Sequence, residues 1–232
     1  MRLNRVLVRG LQEVAGLSET ARGGGTGESG GTVVLRGPEA HHLRDVLRLG
    51  VGAPVEAFDG LGNVARGEVS RADRDGVALR LGPLERSRSE AGLRLTVAVA
   101  LLKGDKLSDV VRQCTELGAS GFVLTLTRQA DVGELSAAKL QRLQRVAQEA
   151  ARQCGRATVP EIGGPSALAE LTWSGAAFIA DPRASVPLQD AAAATGHGGE
   201  ALVLTGPEGG FTAAEVEGLV ARGAVAVNLG PR

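Results

Sequence analysis

The stretch Ala201-Leu-Val-Leu-Thr-Gly-Pro-Glu-Gly-Gly-Phe-Thr-Ala-Ala-Glu215 decides the fold of the second half of the chain. It begins as a short apolar strand, passes through a loop with three glycines, and predicts a helix that starts after Thr212. Thr212 and Glu215 have the spacing of a capping box, in which a hydroxyl and a carboxylate each accept an amide at the helix start. Open α/β sheets usually bind ligands at such junctions. The stretch therefore predicts a ligand site in this loop.

Glu208 makes this loop unusual, because a carboxylate opposes the phosphates that helix N-termini otherwise attract. A ligand that carries positive charge suits the loop better. From residue 93 onward the chain has no G-x-G-x-x-G fingerprint, and the whole chain has no Walker sequence, so nucleotide phosphates are poor ligands for this loop. An ordinary turn with a good helix cap is the alternative interpretation.

Apolar strands and helices alternate on both sides of this stretch from residue 93 onward, which predicts a mostly parallel sheet covered on both faces. Two further strands lead into proline-containing turns, Ala180-Asp-Pro-Arg-Ala-Ser185 and Asn228-Leu-Gly-Pro-Arg232. Neighbouring parallel strands end at the same edge of a sheet. We therefore expect these loops to converge with the glycine loop on one pocket.

The first 85 residues have a different pattern, with short β-type segments, turns at 59–63 and 73–76, and one helix from near Pro38 to Gly50. This pattern predicts a small β-barrel. The polar run 86–92 predicts a linker. The expected organisation is thus a β domain over 1–85 and an α/β domain over 93–232.

The composition of the chain limits how it can bind a nucleic acid. Net charge is zero, and the aromatic residues are four Phe and one Trp, too few for a base-stacking platform. If the chain binds RNA, arginine must make most of the contacts. The predicted helix between Lys139 and Arg156 carries a local net charge of +4, which indicates either a solvated face or a phosphate contact.

Compartment and metal binding are also constrained by the sequence. No apolar run reaches the roughly 18 residues that span a bilayer, and the N-terminus has no signal-type segment, so we expect a cytoplasmic protein. Cys114 and Cys154 match no metal-ligand spacing, and we expect no metal site.

Several short motifs follow one another along nearly the whole chain. They are His42-Leu-Arg-Asp-Val-Leu-Arg48, Phe58-Asp-Gly60, Lys103-Gly-Asp-Lys106, Thr115-Glu-Leu-Gly118, Gln148-Glu-Ala-Ala-Arg-Gln-Cys-Gly-Arg156, Val159-Pro-Glu161, Pro182-Arg-Ala-Ser185, Gly206-Pro-Glu-Gly-Gly210 and Leu229-Gly-Pro-Arg232. In order and spacing they resemble the RsmE family of 16S ribosomal RNA methyltransferases. The resemblance implies methylation of N3 of one uridine in the 16S rRNA of the small ribosomal subunit, with S-adenosylmethionine as cofactor. It further implies a homodimer of the SPOUT class, with a C-terminal trefoil knot in the α/β domain and a PUA-like β-barrel before it.

The same resemblance implies the site residues. The implied cofactor-binding residues are Asp181, Pro182, Leu204, Thr205, Gly206, Pro207, Glu208, Gly209, Gly210, Leu229, Gly230 and Pro231. The candidates for RNA binding are Arg5, Arg9, His42, Arg44, Arg48, Lys103, Lys106, Arg152 and Arg156. For His42 a structural or surface role is the alternative, and for the two lysines a solvated turn.

No histidine or carboxylate is clearly placed as the base that removes the N3 proton. We consider an arginine that stabilises the resulting anion electrostatically, with Arg232 as the candidate catalytic residue. The family continues after Leu-Gly-Pro-Arg with a final helix, whereas this chain ends at Arg232, so we expect that helix to be absent here. Two other functions stay open, a non-catalytic RNA-binding module that retains the fold and a small-molecule enzyme that uses the same loop.

Overall fold

The computed structural model describes residues 3–14, 30–130, 134–194 and 199–230. The chain forms two compact units, the first from Met1–Glu90 with Ala151–Val159 and the second from Ala91–Ala150 with Pro160–Arg232. The sequence analysis assigned residues 151–159 to the α/β domain, whereas the structure groups them with the first unit. Ala157 packs there with Phe58 and Val64, which gives this segment a place in the core of that unit.

The first unit is a mixed sheet of six strands. They are β1 (Asn4–Leu7), β2 (Gly31–Leu35), β3 (Pro54–Phe58), β4 (Asn63–Asp73), β5 (Gly76–Leu81) and β6 (Glu85–Arg86). The order is β1-β3-β4-β5-β2, with β6 also paired to β4. Among the described strands of this unit, only β1 and β3 run parallel. Within residues 3–14 and 30–90, no pairing of β1 with β2 closes this sheet, so closure into a barrel stays a prediction.

The predicted helix in this unit is shorter than expected. It comprises α1 (Gly37–His41) and a π-helical turn over His42–Val46. Pro38 suits the first turn because its missing amide has no intrahelical partner there. Arg48 then takes a positive φ of 53°, which ends the helical path before Gly50.

The second unit is a parallel sheet with helices between its strands. Its strands are β7 (Leu93–Ala100), β8 (Gly121–Leu126), β9 (Glu161–Ala167), β10 (Ala176–Ala180), β11 (Gly199–Thr205) and β12 (Val225–Val227). Its helices are α2 (Lys106–Glu116), α3 (Ala137–Cys154), α4 (Leu188–Ala194) and α5 (Ala213–Val220). The order is β12-β10-β11-β7-β8-β9. The predicted parallel α/β sheet is confirmed, and the threading of a trefoil knot stays a prediction.

Two elements of this unit escaped the sequence analysis. Strand β9 contains Gly163, Gly164 and Pro165, residues that usually argue against a strand. Because β9 lies at the edge of the sheet, next to β8 only, its proline removes no pairing from a central strand. Helix α4 is short and rich in alanine, so its apolar periodicity is weak.

The register aligns the carboxyl ends of the central strands. Ala180 of β10 pairs with Thr205 of β11 on one side and Val227 of β12 on the other. Thr205 lies opposite Val99 of β7. Neighbouring strands lie about 4.8 Å apart, so the loops after β10, β11 and β12 begin within about 10 Å of each other.

No helix in the described part of the chain is long and apolar enough to cross a membrane.

Candidate functional site

The glycine loop after β11 folds back on itself. The amide of Gly210 donates a hydrogen bond to the carbonyl oxygen of Pro207 at 2.9 Å. A Cβ at Gly206 would lie only 3.0 Å from the carbonyl carbon of Gly210, and Gly210 itself has a φ of +75°. The loop therefore requires glycine at both positions, the first for close backbone approach and the second for its conformation.

The predicted capping box is present at the start of α5. The amide of Thr212 donates to Glu215 Oε2 at 2.8 Å, and the amide of Glu215 donates to Thr212 Oγ1 at 3.3 Å. Glu215 Oε1 accepts a further hydrogen bond from the amide of Arg128, just after β8. Burial would raise the pKa of Glu215, but the hydrogen bonds from Arg128 and Thr212 outweigh it and lower that pKa.

An arginine–aspartate pair connects the loop after β10 to the loop after β11. Arg183 donates from Nε and Nη2 to the two carboxylate oxygens of Asp181, each at 2.9 Å. Its Nη2 also donates to the carbonyl oxygen of Phe211 at 3.1 Å. The hydrogen bonds from Arg183 lower the pKa of the buried Asp181. Two of the three loops are thus held together by one guanidinium group.

Asn228 fixes the third loop to its neighbour. Its side-chain amide donates to the carbonyl oxygen of Ala184 at 3.0 Å, and its backbone amide donates to the carbonyl oxygen of Val186 at 2.9 Å. Its side-chain oxygen accepts from the amide of Gly230 at 3.2 Å. The loops after β10 and β12 are therefore hydrogen-bonded to each other, as the sequence analysis expected.

Two side chains from the other strand ends contact the glycine loop. Lys106, at the start of α2, pairs with Glu208 at 2.6 Å, and both side chains are exposed. Gln129, after β8, lies against Gly209, and with its amide nitrogen facing the loop it donates to the carbonyl oxygen of Gly210 at 3.2 Å. A cation of the protein itself therefore accompanies Glu208, which weakens the sequence argument that this carboxylate needs a cationic ligand.

All but one of the predicted cofactor-binding residues lie at this edge of the sheet. Asp181 and Pro182 follow β10, the stretch 204–210 ends β11 and forms its loop, and Leu229 and Gly230 follow β12. Pro231 and the candidate catalytic Arg232 lie outside the described residues. Ligand binding by these residues stays a prediction.

Sequence reasoning missed four residues that hold the loops together. They are Arg128, Gln129, Arg183 and Asn228. Arg183 gave a usable signal, because an arginine two positions after an aspartate in a turn can close back on it. Arg128 and Gln129 gave none, since their contacts are with residues far along the chain.

Two of the predicted RNA-binding arginines are buried in pairs. Arg5 has a side chain that is 10% exposed; it pairs with Glu56 at 2.8 Å and donates to the carbonyl oxygen of Arg156. Arg156, 7% exposed, donates twice to Glu90, at 2.8 and 3.1 Å. These positions favour a structural role over the phosphate contacts that the sequence suggested, because a buried guanidinium cannot reach a polyanion at the surface.

The helix motif in the first unit keeps a partly exposed charge cluster. Arg44 pairs with Asp45 at 2.6 Å and donates to the carbonyl oxygen of Asp73 at 2.7 Å. The Arg44 hydrogen bonds lower the pKa of Asp45 to about 2, with His41 as a further donor. Arg44 is therefore largely neutralised, which reduces its attraction for phosphate.

The remaining candidates for RNA binding differ in how far their side chains are engaged in contacts within the protein. Arg152 contacts Nε2 of His42. Arg9 and Arg48 are exposed. Lys103 is also exposed and has a partner of its own. Contact of these residues with RNA stays a prediction.

Comparisons with known proteins match both units. A family model described as RNA methyltransferase domain matches residues 89–232, and one described as RNA methyltransferase PUA domain matches residues 35–82. A Synechocystis protein named ribosomal RNA small subunit methyltransferase E is 34% identical over 207 residues, covering 87% of this chain and 67% of the relative. A Mycobacterium tuberculosis protein of the same name is 31% identical over 218 residues, covering 88% and 81%.

A solved structure has a similar fold. The ribosomal RNA small subunit methyltransferase E from Neisseria gonorrhoeae, bound to S-adenosyl methionine, superposes with a TM-score of 0.82 at 22% identity. The match covers 100% of this chain and 90% of that one.

Proposed function

This chain belongs to the ribosomal RNA small subunit methyltransferase E family, and from that membership we propose its reaction. The protein transfers a methyl group from S-adenosylmethionine to N3 of a specific uridine in the 16S rRNA of the small ribosomal subunit. The proposal specifies the cofactor, the nucleoside and the reacting atom, which family membership alone leaves open.

The observation that carries the proposal is the interlocked set of three loops at one edge of the parallel sheet. Arg183 joins the loops after β10 and β11, and Asn228 joins those after β10 and β12. These bonds join residues of the chain itself and hold the three loops in one arrangement. Preorganisation of this kind reduces the entropy lost on binding.

The residues at this edge fit a largely uncharged, backbone-bound group. Glycines at 206, 209 and 210 leave the main chain open to close approach, and a Cβ at Gly209 would meet Gln129 at 3.1 Å. Glu208 and Asp181 are each paired with one cation, Lys106 and Arg183, so these four side chains offer a phosphate no net positive charge. The adenosyl portion of S-adenosylmethionine is such a group, and the structure of the Neisseria relative is described with S-adenosyl methionine bound.

The chain's own residues supply position rather than covalent chemistry. Bound S-adenosylmethionine provides an electrophilic methyl on a sulfonium. The stretch 204–210 and the loops beginning at Asp181 and Asn228 would hold it at the sheet edge, so that uracil N3 meets it in line. Alignment of two reactants can contribute several kcal/mol, of the order of 7–11 in well-oriented model systems.

Deprotonation of N3 needs a separate group. The edge formed by the described residues carries Asp181 and Glu208, but each is already paired with a cation, Arg183 and Lys106 respectively. Arg232 stays the candidate for electrostatic stabilisation of the uracil anion.

The test uses the full chain with methyl-labelled S-adenosylmethionine and small ribosomal subunits from cells that lack this protein. Digestion of the 16S rRNA and mass spectrometry should find one labelled nucleoside, a uridine methylated at N3. A Gly206→Val variant is the matched control, because its side chain collides with the backbone of Gly210 while leaving the first unit unchanged.

Each alternative function gives a different outcome. Binding of rRNA without any transfer of label identifies an RNA-binding module, and label found only on a small molecule identifies an enzyme of another class. Label on another atom or another base contradicts the N3 assignment while leaving the methyltransferase assignment in place.

We also propose that the protein is a cytoplasmic homodimer. Val220, Val225 and Leu229 expose apolar side chains near the end of the described chain, at and next to the edge strand β12. An edge strand with apolar neighbours is a common dimer surface. Sedimentation equilibrium should give twice the chain mass of 23.7 kDa.

A further inference from the structure

The first unit carries an arginine-lined cleft that lies outside the predicted cofactor and RNA-binding residues. Its volume is about 390 Å³. Arg66 of β4 forms one wall, and the segment from Glu85 to Ser89 forms another. Three arginines, Arg66, Arg86 and Arg88, face this one space.

One of the two acidic residues of the cleft, Glu56, is neutralised by arginines. Glu56 is paired on both oxygens, with Arg5 at 2.8 Å and with Arg66 at 3.0 Å. Because the Glu56 carboxylate is shared by two guanidinium groups, the side chains of Arg5, Glu56 and Arg66 together carry a net positive charge. Glu85 is the other carboxylate on the cleft wall, which also contains Arg86 and Arg88.

Arg86 and Arg88 have hydrogen-bond donors that are available to a ligand. Arg86 uses Nη1 for the carbonyl oxygen of Leu61 and for Asn63 Oδ1, at 2.9 and 3.2 Å. These bonds fix its guanidinium and leave its other N–H groups available. Within the described residues Arg88 makes no hydrogen bond or ion pair, so its N–H groups are available to a ligand.

Two serine hydroxyls add neutral donors beside the arginines. Ser87 Oγ and Ser89 Oγ lie 2.8 Å apart, and the amide of Ser89 donates to Ser87 Oγ at 3.2 Å. Since the two hydroxyls share one hydrogen bond, one of their two protons stays available for another acceptor. The amide of Ser87 donates to the carbonyl oxygen of Gly62 at 2.9 Å, which anchors this turn to the sheet.

We propose that this cleft binds a phosphate of the RNA backbone, so that the first unit positions the 16S rRNA without contacting its bases. Guanidinium groups match phosphate oxygens in pairs, and the wall has no aromatic ring on which a base could stack. The inference rests on the proposed function, because it takes rRNA as the substrate, and it adds a docking site to that function.

The experiment compares Arg88→Ala with Arg74→Ala in the full chain. Arg74 is an exposed arginine of the same unit, outside the cleft, so both variants lose one surface charge. Affinity for naked 16S rRNA is measured by filter binding over a series of salt concentrations. We expect Arg88→Ala to weaken binding about 3–10-fold at moderate salt and to lower the slope of log K against log salt by about 0.7–0.9. Arg74→Ala should leave both unchanged.

Further variants and outcomes make the test decisive. Arg88→Lys should restore the salt slope and only part of the affinity, because lysine keeps the charge but lacks the planar fork. Equal effects of Arg88→Ala and Arg74→Ala overturn the proposal, as does a defect seen only with assembled subunits, which would indicate a ribosomal protein at the cleft.

Methylation separates this proposal from the proposed function. With rRNA below saturation, Arg88→Ala should slow methylation about as much as it weakens binding, and Arg74→Ala should methylate at the wild-type rate, because Arg74 lies outside both the cleft and the cofactor loops. A wild-type protein that binds rRNA through Arg88 but transfers no methyl group would refute the proposed reaction and support the cleft.

Discussion

Arg156 in the first unit and Arg183 in the second each make two hydrogen bonds to one carboxylate, and the two pairs stabilise different kinds of structure. In the first unit, Arg156 is buried and donates twice to Glu90, which also accepts the amides of Ala157 and Thr158. In the second, Arg183 is 58% exposed and joins Asp181 to a neighbouring loop. The Arg156–Glu90 pair stabilises buried structure in the first unit. The Arg183–Asp181 pair instead aligns two loops at the edge of the sheet where the predicted cofactor residues lie.

The contrast shows that burial decides what an arginine does. Arg156 and Arg183 are the same residue type beside the same kind of partner. Arg156 holds a segment onto the first unit and its side chain is 7% exposed, which favours a structural role. Arg183 keeps a solvent-exposed face at the edge of the sheet where the cofactor residues lie. The predictions below test this contrast, beginning with the core pair.

Removal of Glu90 should have the largest effect. Glu90→Ala leaves the buried Arg156 guanidinium without its counter-charge and removes the acceptor of two amides. We expect a loss of about 3 kcal/mol in the free energy of unfolding, measured by urea titration with circular dichroism. Glu85→Ala, an exposed glutamate five positions earlier, should change it by less than about 0.5 kcal/mol.

The same pair provides a test of the original assignment of Arg156. Arg156→Ala should destabilise the protein and leave the salt slope of rRNA binding by the folded fraction unchanged. A slope reduced by about one unit at wild-type stability would instead place Arg156 on the RNA surface and contradict the structural role.

Glu215 should rank second, because it accepts hydrogen bonds from two separate backbone segments. Glu215→Gln should cost about 1–2 kcal/mol of stability at pH 7. Since the folded-state pKa of Glu215 lies below its unfolded value, its contribution is complete above about pH 5 and declines as pH falls through the folded-state pKa. The difference between wild type and variant should therefore shrink below about pH 4.

Glu217 provides the control for this measurement. It is an exposed residue of the same helix, and Glu217→Gln should leave both the stability and its pH dependence close to wild type. A Glu215→Gln difference that stays constant down to pH 3 would show that the carboxylate charge plays no part in the cap.

Gly210 should give a smaller stability change with a larger consequence for ligand binding. A Cβ there meets no atom within 4 Å, but φ is +75°. Gly210→Ala should therefore cost about 1 kcal/mol from backbone strain alone and weaken S-adenosylmethionine binding in calorimetry. Gly218→Ala, in helix α5 where a Cβ also meets nothing, should leave binding unchanged. Equal affinities for the two variants would exclude a role for the loop conformation.

The exposed pair of Lys106 and Glu208 should have the smallest effect on stability, below about 1 kcal/mol. Its removal sharpens the question of what Glu208 attracts. If Glu208 faces the cationic part of the cofactor, Lys106→Ala should tighten S-adenosylmethionine binding and Glu208→Gln should weaken it. Parallel changes in the two variants would contradict an electrostatic role for Glu208.

Sequence reasoning recovered the features that depend on neighbouring residues. The capping box of Thr212 and Glu215, the glycine loop and the parallel α/β pattern were all predicted, and the family resemblance is confirmed. Strand β9 was missed because Gly164 and Pro165 contradict strand propensity, and an edge position tolerates them. The domain boundaries and the site residues stay predictions.

By itself, the sequence determined where strands end and helices begin, because caps, turns and periodicity act over a few residues. Only the tertiary structure decided which charges are buried and which loops meet. Arg5 and Arg156 are 151 positions apart, and Lys106 and Glu208 are 102 apart. Contacts at such separations arise from the packing of whole strands and helices, which no local pattern of residues specifies.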